Sequence, residues 1–220
     1  MKKLALVHTS ATLIPVFQEL CQAFLPGVQV FNIVDDFLVK NIIASGSLTP
    51  TIAKQVVGYV ESAQMGGADQ VLVTCSSIGP AVELSEHLVD IPVLRVDQPM
   101  ADKAVAMGTR IGVIATLSST LEPTADLISR RAEVASKKIQ LEAVLCEGAF
   151  DALMRGDAAT HDQKVTEVLK QLASKVDVIV LAQASMARVV ANLNPSEKKV
   201  PILSSPQIAI EYLASQQALS

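Results

Sequence analysis

Aromatic side chains are scarce in this chain of 220 residues, at 3% with no tryptophan. A core of the size this length can bury must therefore come from Val, Leu, Ile and Ala. That composition suits a Val/Ile-rich parallel sheet with Ala-rich helices packed on it. Cysteine is sparse too. Cys21, Cys75 and Cys146 are odd in number and widely spaced. Neither a disulfide framework nor a CxxC metal site can be read from them, and a reducing cytoplasm is the expected compartment. Neither charge sign dominates: 18 basic against 22 acidic residues leave a net charge of -4 with the signs interspersed. Without a basic patch, nucleic acid is not an expected partner. No apolar run reaches the roughly 18 residues of a spanning helix. The first apolar stretch, Leu4-Ala5-Leu6-Val7, is cut by His8-Thr9-Ser10 and is too short for a signal-peptide core, so no membrane partner is expected. The glycine patterns of nucleotide sites are missing as well. Met65-Gly66-Gly67-Ala68 lacks a Lys-Ser/Thr pair and precedes a strand, so it reads as a helix stop.

What is present centres on Val71-Leu72-Val73-Thr74-Cys75-Ser76-Ser77-Ile78-Gly79-Pro80. Strand formers run into a cysteine, two hydroxyls and a Gly-Pro pair that can open a helix over Pro80–Leu88, with Pro80 at the first helical position. Cys75 is then expected at the carboxyl end of a buried strand, facing a helix N-terminus. Open α/β sheets put ligand sites there, and the helix end favours the reactive thiolate. A cysteine beside an apolar strand is commonly core filler, but the polar turn-formers after Cys75 mark the strand's exit rather than its middle.

The chain repeats itself. Leu4–Val7 matches Ile111–Ile114, Asp69–Cys75 matches Asp177–Gln183, and Ile91–Leu94 matches Val200–Leu203, all at an offset of roughly 107–109. The expected architecture is α/β: two pseudo-symmetric α/β domains with short parallel sheets, the first lobe formed by 1–98 and 207–220 and the second by 99–206. A small-ligand site is expected in the cleft between their carboxyl-end loops. Among the other elements, Asp35–Ser47 reads as a loop with a partial helix. Pro50–Gln64 reads as a helix capped by Thr49, and Pro123–Ser136 as a long helix preceded by a polar turn.

The strand–Cys–Ser–Ser turn at Val71–Ser77, the segment Gly112–Thr116 with its Ser/Thr cluster, and Val178–Ser185 resemble the aspartate/glutamate/hydantoin racemase superfamily over nearly the full length. The resemblance implies a homo-oligomer and cofactor-independent chemistry on a small carboxylate, with no metal. It also implies one cysteine per half on opposite faces of the substrate's acidic carbon. Cys75 matches the first cysteine; the second position is Gln183, which is neither acid nor base near neutral pH. Cys21 and Cys146 read as structural.

Around this pair, Thr116, Ser118, Ser119 and Thr120 precede a helix. Four hydroxyls in five positions exceed what capping needs and suit an anion. The resemblance gives Ser76, Ser77, Ala184 and Ser185 the same substrate-binding role, with His8, Thr9 and Ser10 as first-half counterparts. His8 titrates near neutrality when unperturbed and could supply the acid/base group that Gln183 does not. His87 and His161 are expected to face solvent. The leading expectation is thus a carbon-acid isomerase or racemase working through the Cys75 thiolate. The alternatives are a one-cysteine lyase, decarboxylase or cis-trans isomerase of the same superfamily, or a carboxylate-binding protein without catalysis.

Overall fold

The structure, a computed structural model, describes residues 1–218. Chain contacts divide it into two units, Met1–Asp97 joined by the chain from Pro206, and Gln98–Ser205. The sequence-based boundaries lie one residue further along in each case, and Leu219 and Ser220 of the expected first lobe fall outside the described residues.

The first unit contains β1 (Lys3–His8), α1 (Ile14–Phe24), β2 (Gln29–Val34), α2 (Asp36–Ser45), α3 (Pro50–Met65), β3 (Gln70–Val73), α4 (Gly79–Ser85) and β4 (Val93–Arg95). The second contains α5 (Gln98–Met107), β5 (Arg110–Ala115), α6 (Ser118–Val134), β6 (Gln140–Leu145), α7 (Ala149–Met154), α8 (Ala158–Leu172), β7 (Val178–Leu181), α9 (Ala187–Asn192) and β8 (Ile202–Ser204); α10 (Ser205–Ala218) then serves the first unit. Each unit has one four-stranded parallel sheet, ordered β2-β1-β3-β4 and β6-β5-β7-β8. The registers correspond: Val7 pairs with Val73 in one, and Ile114 with Leu181 in the other.

The two-residue side-chain period of a strand explains why both faces of the first sheet are covered. Ala5, Val7, Val71, Val73 and Val93 point to one face and meet Leu38, Ile42, Val56, Val60 and Val82 from α2, α3 and α4. Leu4, Leu6, Leu72 and Leu94 point to the other, against Phe17 and Cys21 of α1 and Ile210 and Leu213 of α10. In the second unit Ile114, Ile179 and Leu181 are covered by Val165, Leu169 and Val189 of α8 and α9.

Each sheet is also stitched at its amino end by an aspartate that precedes the third strand. Asp69 accepts the backbone N–H groups of Lys2 and Lys3, and Asp177 those of Thr109 and Arg110. Asp177 also takes a two-pronged contact from the Arg110 guanidinium. These donors hold both carboxyls below the ordinary carboxylate range.

Two elements differ from the sequence reading. The segment expected to be a loop with a partial helix is the full helix α2: Asp35 caps it by accepting from Phe37 N at 2.9 Å, and Gly46 closes it in the left-handed conformation at φ 71. Helix α6 starts five residues before Pro123, which therefore lies inside it. Proline at that place forgoes only the bond to the Ser119 carbonyl, one turn into the helix. Among the described residues no helix is long and apolar enough to cross a membrane.

Candidate active site

Strands β1 and β3 are neighbours, so the residues that leave their carboxyl ends are neighbours too. His8, Thr9 and Ser10 follow or end β1; Thr74, Cys75, Ser76 and Ser77 follow β3. Thr74 N still bonds to Val7 O at 3.0 Å, after which Cys75, extended at φ -131 and ψ 120, caps a short 3-10 turn over Ser76–Ile78. Helix α4 begins at Gly79, so Pro80 takes the second helical position rather than the expected first.

Cys75 is the partly exposed cysteine; Cys21 and Cys146 are buried. Burial pushes both of those thiols up to about 11, which keeps them protonated and unreactive near neutrality. They sit in the apolar cores of the first and second units, respectively. Ser76 and Ser77 are nearly covered, at 6% and 4% exposure.

His8 is fully buried and both ring nitrogens are engaged: Nδ1 lies 2.8 Å from Thr74 Oγ1 and Nε2 2.9 Å from Asn32 Oδ1. Asn32 Oδ1 only accepts, so Nε2 carries the hydrogen; Nδ1 lies against the Thr74 hydroxyl, which also donates to Val7 O at 3.2 Å. Burial lowers the pKa of His8, against the raising effect of the Asn32 bond. As placed, the ring has no nitrogen to offer a ligand and acts as a strut between β2 and β3. Thr9 is covered as well, and Ser10 accepts from Thr12 N to cap a 3-10 turn over Ala11–Leu13.

The second unit builds the same strand ends differently. Gln183, extended at φ -130 and ψ 134, stands where Cys75 stands and caps the 3-10 turn Ala184–Met186. Its Oε1 accepts from both Thr116 N, at 2.6 Å, and Thr116 Oγ1, at 3.0 Å. Gln183 therefore ties the end of β7 to the end of β5. Ser118, Ser119 and Thr120 form the first turn of α6 instead of a preceding loop. Ser118 is exposed, whereas Thr116 and Thr120 are buried; Ala184 is half-buried and Ser185 exposed.

Sequence reading did not single out Thr74, Asn32 or the charged group beneath α4. Arg95 of β4 is 1% exposed, and its Nε and Nη2 donate to Asp97 Oδ1 and Oδ2 at 3.0 and 2.9 Å; Nη1 donates to Glu83. Burial alone would lower the Arg95 pKa, yet Asp97 and then Glu83 hold it raised. An arginine and an aspartate two apart in Val93-Leu94-Arg95-Val96-Asp97, otherwise apolar, were the available signal. His161 also departs from expectation. It is buried, with Nδ1 against Asp162 Oδ1 at 2.8 Å, because the apolar face of α8 that carries Val165 and Leu169 includes it. Among the described residues no group of three or more His, Cys, Asp or Glu is arranged to hold a metal ion.

Comparison with known proteins adds a family and a fold. The family model described as Asp/Glu/hydantoin racemase matches residues 6–213. No curated protein matches the chain. Among solved structures, a glutamate racemase isoform from Bacillus anthracis is 18% identical, with a TM-score of 0.77, over 99% of this chain and 82% of that one. A glutamate racemase from Francisella tularensis subsp. tularensis, solved with D-glutamate, is 15% identical with a TM-score of 0.74, over 99% and 81%. Allantoin racemase from Klebsiella pneumoniae is 17% identical with a TM-score of 0.71, over 100% and 89%. At these identities the structures speak for the fold.

Proposed function

The chain belongs to the Asp/Glu/hydantoin racemase family, and from that premise we propose that it is a cofactor-independent enzyme of the isomerase kind, acting at the acidic carbon of a small carboxylate through the Cys75 thiolate. One observation carries this reading. Cys75 is the one cysteine of the three that is partly exposed, and it stands at a strand end where the chain turns into a helix among hydroxyl groups. In the proposed step the Cys75 thiolate takes the proton on carbon, the electron pair passes into the carboxylate as an enediolate, and the thiol returns the proton. A carbon acid beside a carboxylate is weak, so donors must hold the enediolate charge. In the first lobe Ser10, Ser76 and Ser77 are the candidates. We assign carboxylate binding to Ser118, Ser119, Thr120 and Ser185 in the second lobe on the same chemical ground; Thr116, expected in that set, has both its donors committed to Gln183.

Gln183 favours a particular form of this chemistry. The Gln183 amide is neither acid nor base near neutral pH, and its oxygen is committed to Thr116. His8, buried and bonded at both nitrogens, does not replace it. A single thiol suffices for exchange with retention, for protonating an enediolate after decarboxylation, or for addition to a double bond. The glutamate and allantoin racemases among the structural neighbours suggest amino-acid and ureide or hydantoin acids as the first substrates to try.

The test is proton–deuterium exchange in heavy water, followed by NMR, over amino acids, hydantoins and malonate-type acids. Exchange at carbon that disappears in Cys75→Ala supports the reading. Exchange that persists in Cys75→Ala overturns it. So does a silent panel combined with alkylation of Cys75 no faster than that of Cys21.

A further inference from the structure

Helix α4 starts over a buried charge. A Cβ built on Gly79 would overlap the Arg95 guanidinium, lying 2.6 Å from Nε and closer still to Cζ and Nη2. Glycine at 79 is thus a matter of space: the first residue of α4 rests directly on the guanidinium plane. That plane cannot swing aside. Asp97, itself fully buried, grips it through two parallel bonds at 3.0 and 2.9 Å, and Glu83 of the same helix takes its third nitrogen. Bidentate Arg–carboxylate pairs fix orientation as well as distance, which a lysine at 95 would not do.

The arrangement joins α4 to β4 and to Asp97 just after it, and so reaches both ends of the turn that carries Cys75. Arg95 pairs in register with Val73, two residues before Cys75, while its head group lies under Gly79, four residues after it. Both ends of the Thr74–Ile78 segment are therefore referred to one side chain. The second unit has none of it. By register Arg95 corresponds to Ser204, and at the repeat offset Gly79, Glu83 and Asp97 correspond to Ala187, Ala191 and Pro206. There the turn is held instead by Gln183 on Thr116. A charged cluster buried at this cost, in one copy of a repeat whose other copy folds without it, is not a requirement of the fold.

We propose that Arg95, clamped by Asp97 and Glu83 beneath Gly79, is a positioning residue that sets the Cys75–Gly79 turn and so the presentation of the Cys75 thiol. The inference rests on Cys75 as the reacting group, and it leaves open which acid is the substrate.

Iodoacetamide alkylation of the full-length protein at one fixed pH tests this without any substrate, each cysteine being quantified by peptide mass spectrometry. Arg95→Met and Gly79→Ala should each slow labelling of Cys75 by about tenfold, the scale of a modest misplacement. Cys21 and Cys146 should stay as unreactive as in the wild type, since a merely loosened fold would expose them. Arg95→Lys should recover only part of the rate, and Gly79→Ala added to Arg95→Met should slow it no further because the contact is already gone. If Arg95→Met does not fold, Asp97→Asn carries the same expectation. A Cys75 rate that is unchanged in these variants, or that moves only in step with Cys21, overturns the proposal. Failure of the carbon-acid reading is separate: it shows in the exchange panel on the wild type and Cys75→Ala, not in the Arg95 and Gly79 variants.

Discussion

In the first lobe Cys75 leaves β3 at φ -131 and ψ 120; in the second Gln183 leaves β7 at φ -130 and ψ 134, and each caps a three-residue 3-10 turn. The backbones agree, yet the anchors do not. The second lobe holds its turn with the side chain at the turn itself, Gln183 on Thr116. The first lobe holds its turn from below, with Arg95 packed against Gly79, and from beside, with His8 on Thr74. With the anchors elsewhere, the side chain at position 75 makes no cap bond to its own turn. The difference teaches that two copies of one backbone turn can be held by unlike side chains, and the proposed chemistry rests on the copy whose central side chain is not the anchor.

The largest expected effect breaks the comparison at its centre. Cys75→Ala should lower the rate of exchange at carbon by about 10²–10⁴-fold, the usual contribution of a positioned base. Gln183→Ala should lower it by less than about tenfold, since an amide contributes no proton transfer. Steady-state exchange rates on the same acid give both numbers. In stability the order reverses. Gln183→Ala removes two hydrogen bonds and strands the Thr116 N–H, at a cost of about 1–3 kcal/mol. Cys75→Ala should cost about 1 kcal/mol or less, since the small, partly buried thiol packs only at the edge of the first unit's core. Urea titrations of the two variants would show whether the anchors are divided between the lobes in this way.

Two smaller effects depend on pH. Burial depresses the His8 pKa, so the unfolded chain binds the proton more readily than the folded one. Stability should therefore decline as the pH falls below about 6.5, the ordinary histidine value. The position matching His8 in the second lobe is Ala115, which has no such dependence. His8→Gln should flatten the decline between pH 7.5 and 5.5 in denaturant titrations. Asp69 and Asp177 behave with the opposite cause and the same sign. Their depressed pKa values supply stability above the unfolded value, about 3.9, and it is lost as the pH falls through the folded values. Asp177→Asn should flatten the acid limb of a melting-temperature profile more than Asp69→Asn, because Asp177 also pairs with the Arg110 side chain.

Much of the fold was legible because it follows from short-range pattern. Buried strands, the Thr49 cap and the repeat offset are written in consecutive residues. The division of the chain could be proposed from the matching of Leu4–Val7 with Ile111–Ile114. The beginning of α6 was not legible: proline is usual at a first helical position, and the start was set instead by where β5 ends. Cys75 could be picked out, since it lies in the same stretch as the strand and turn that present it. The burial and bonding of His8 were not legible because its partners, Thr74 and Asn32, are 66 and 24 residues away. The Arg95 cluster escaped for a like reason: the space at Gly79 that it fills exists only after β4 has paired with β3. His161 shows the same limit, since one polar residue on an apolar helix face says nothing of its own burial.

The most direct measurement is exchange at carbon in heavy water with each enantiomer of one accepted acid supplied separately. If Cys75 alone moves the proton, one enantiomer should exchange rapidly and keep its configuration while the other remains protonated. Equal exchange of both enantiomers, with loss of optical activity, would mean that a second acid/base group faces the carbon, and would contradict the division of roles between Cys75 and Gln183.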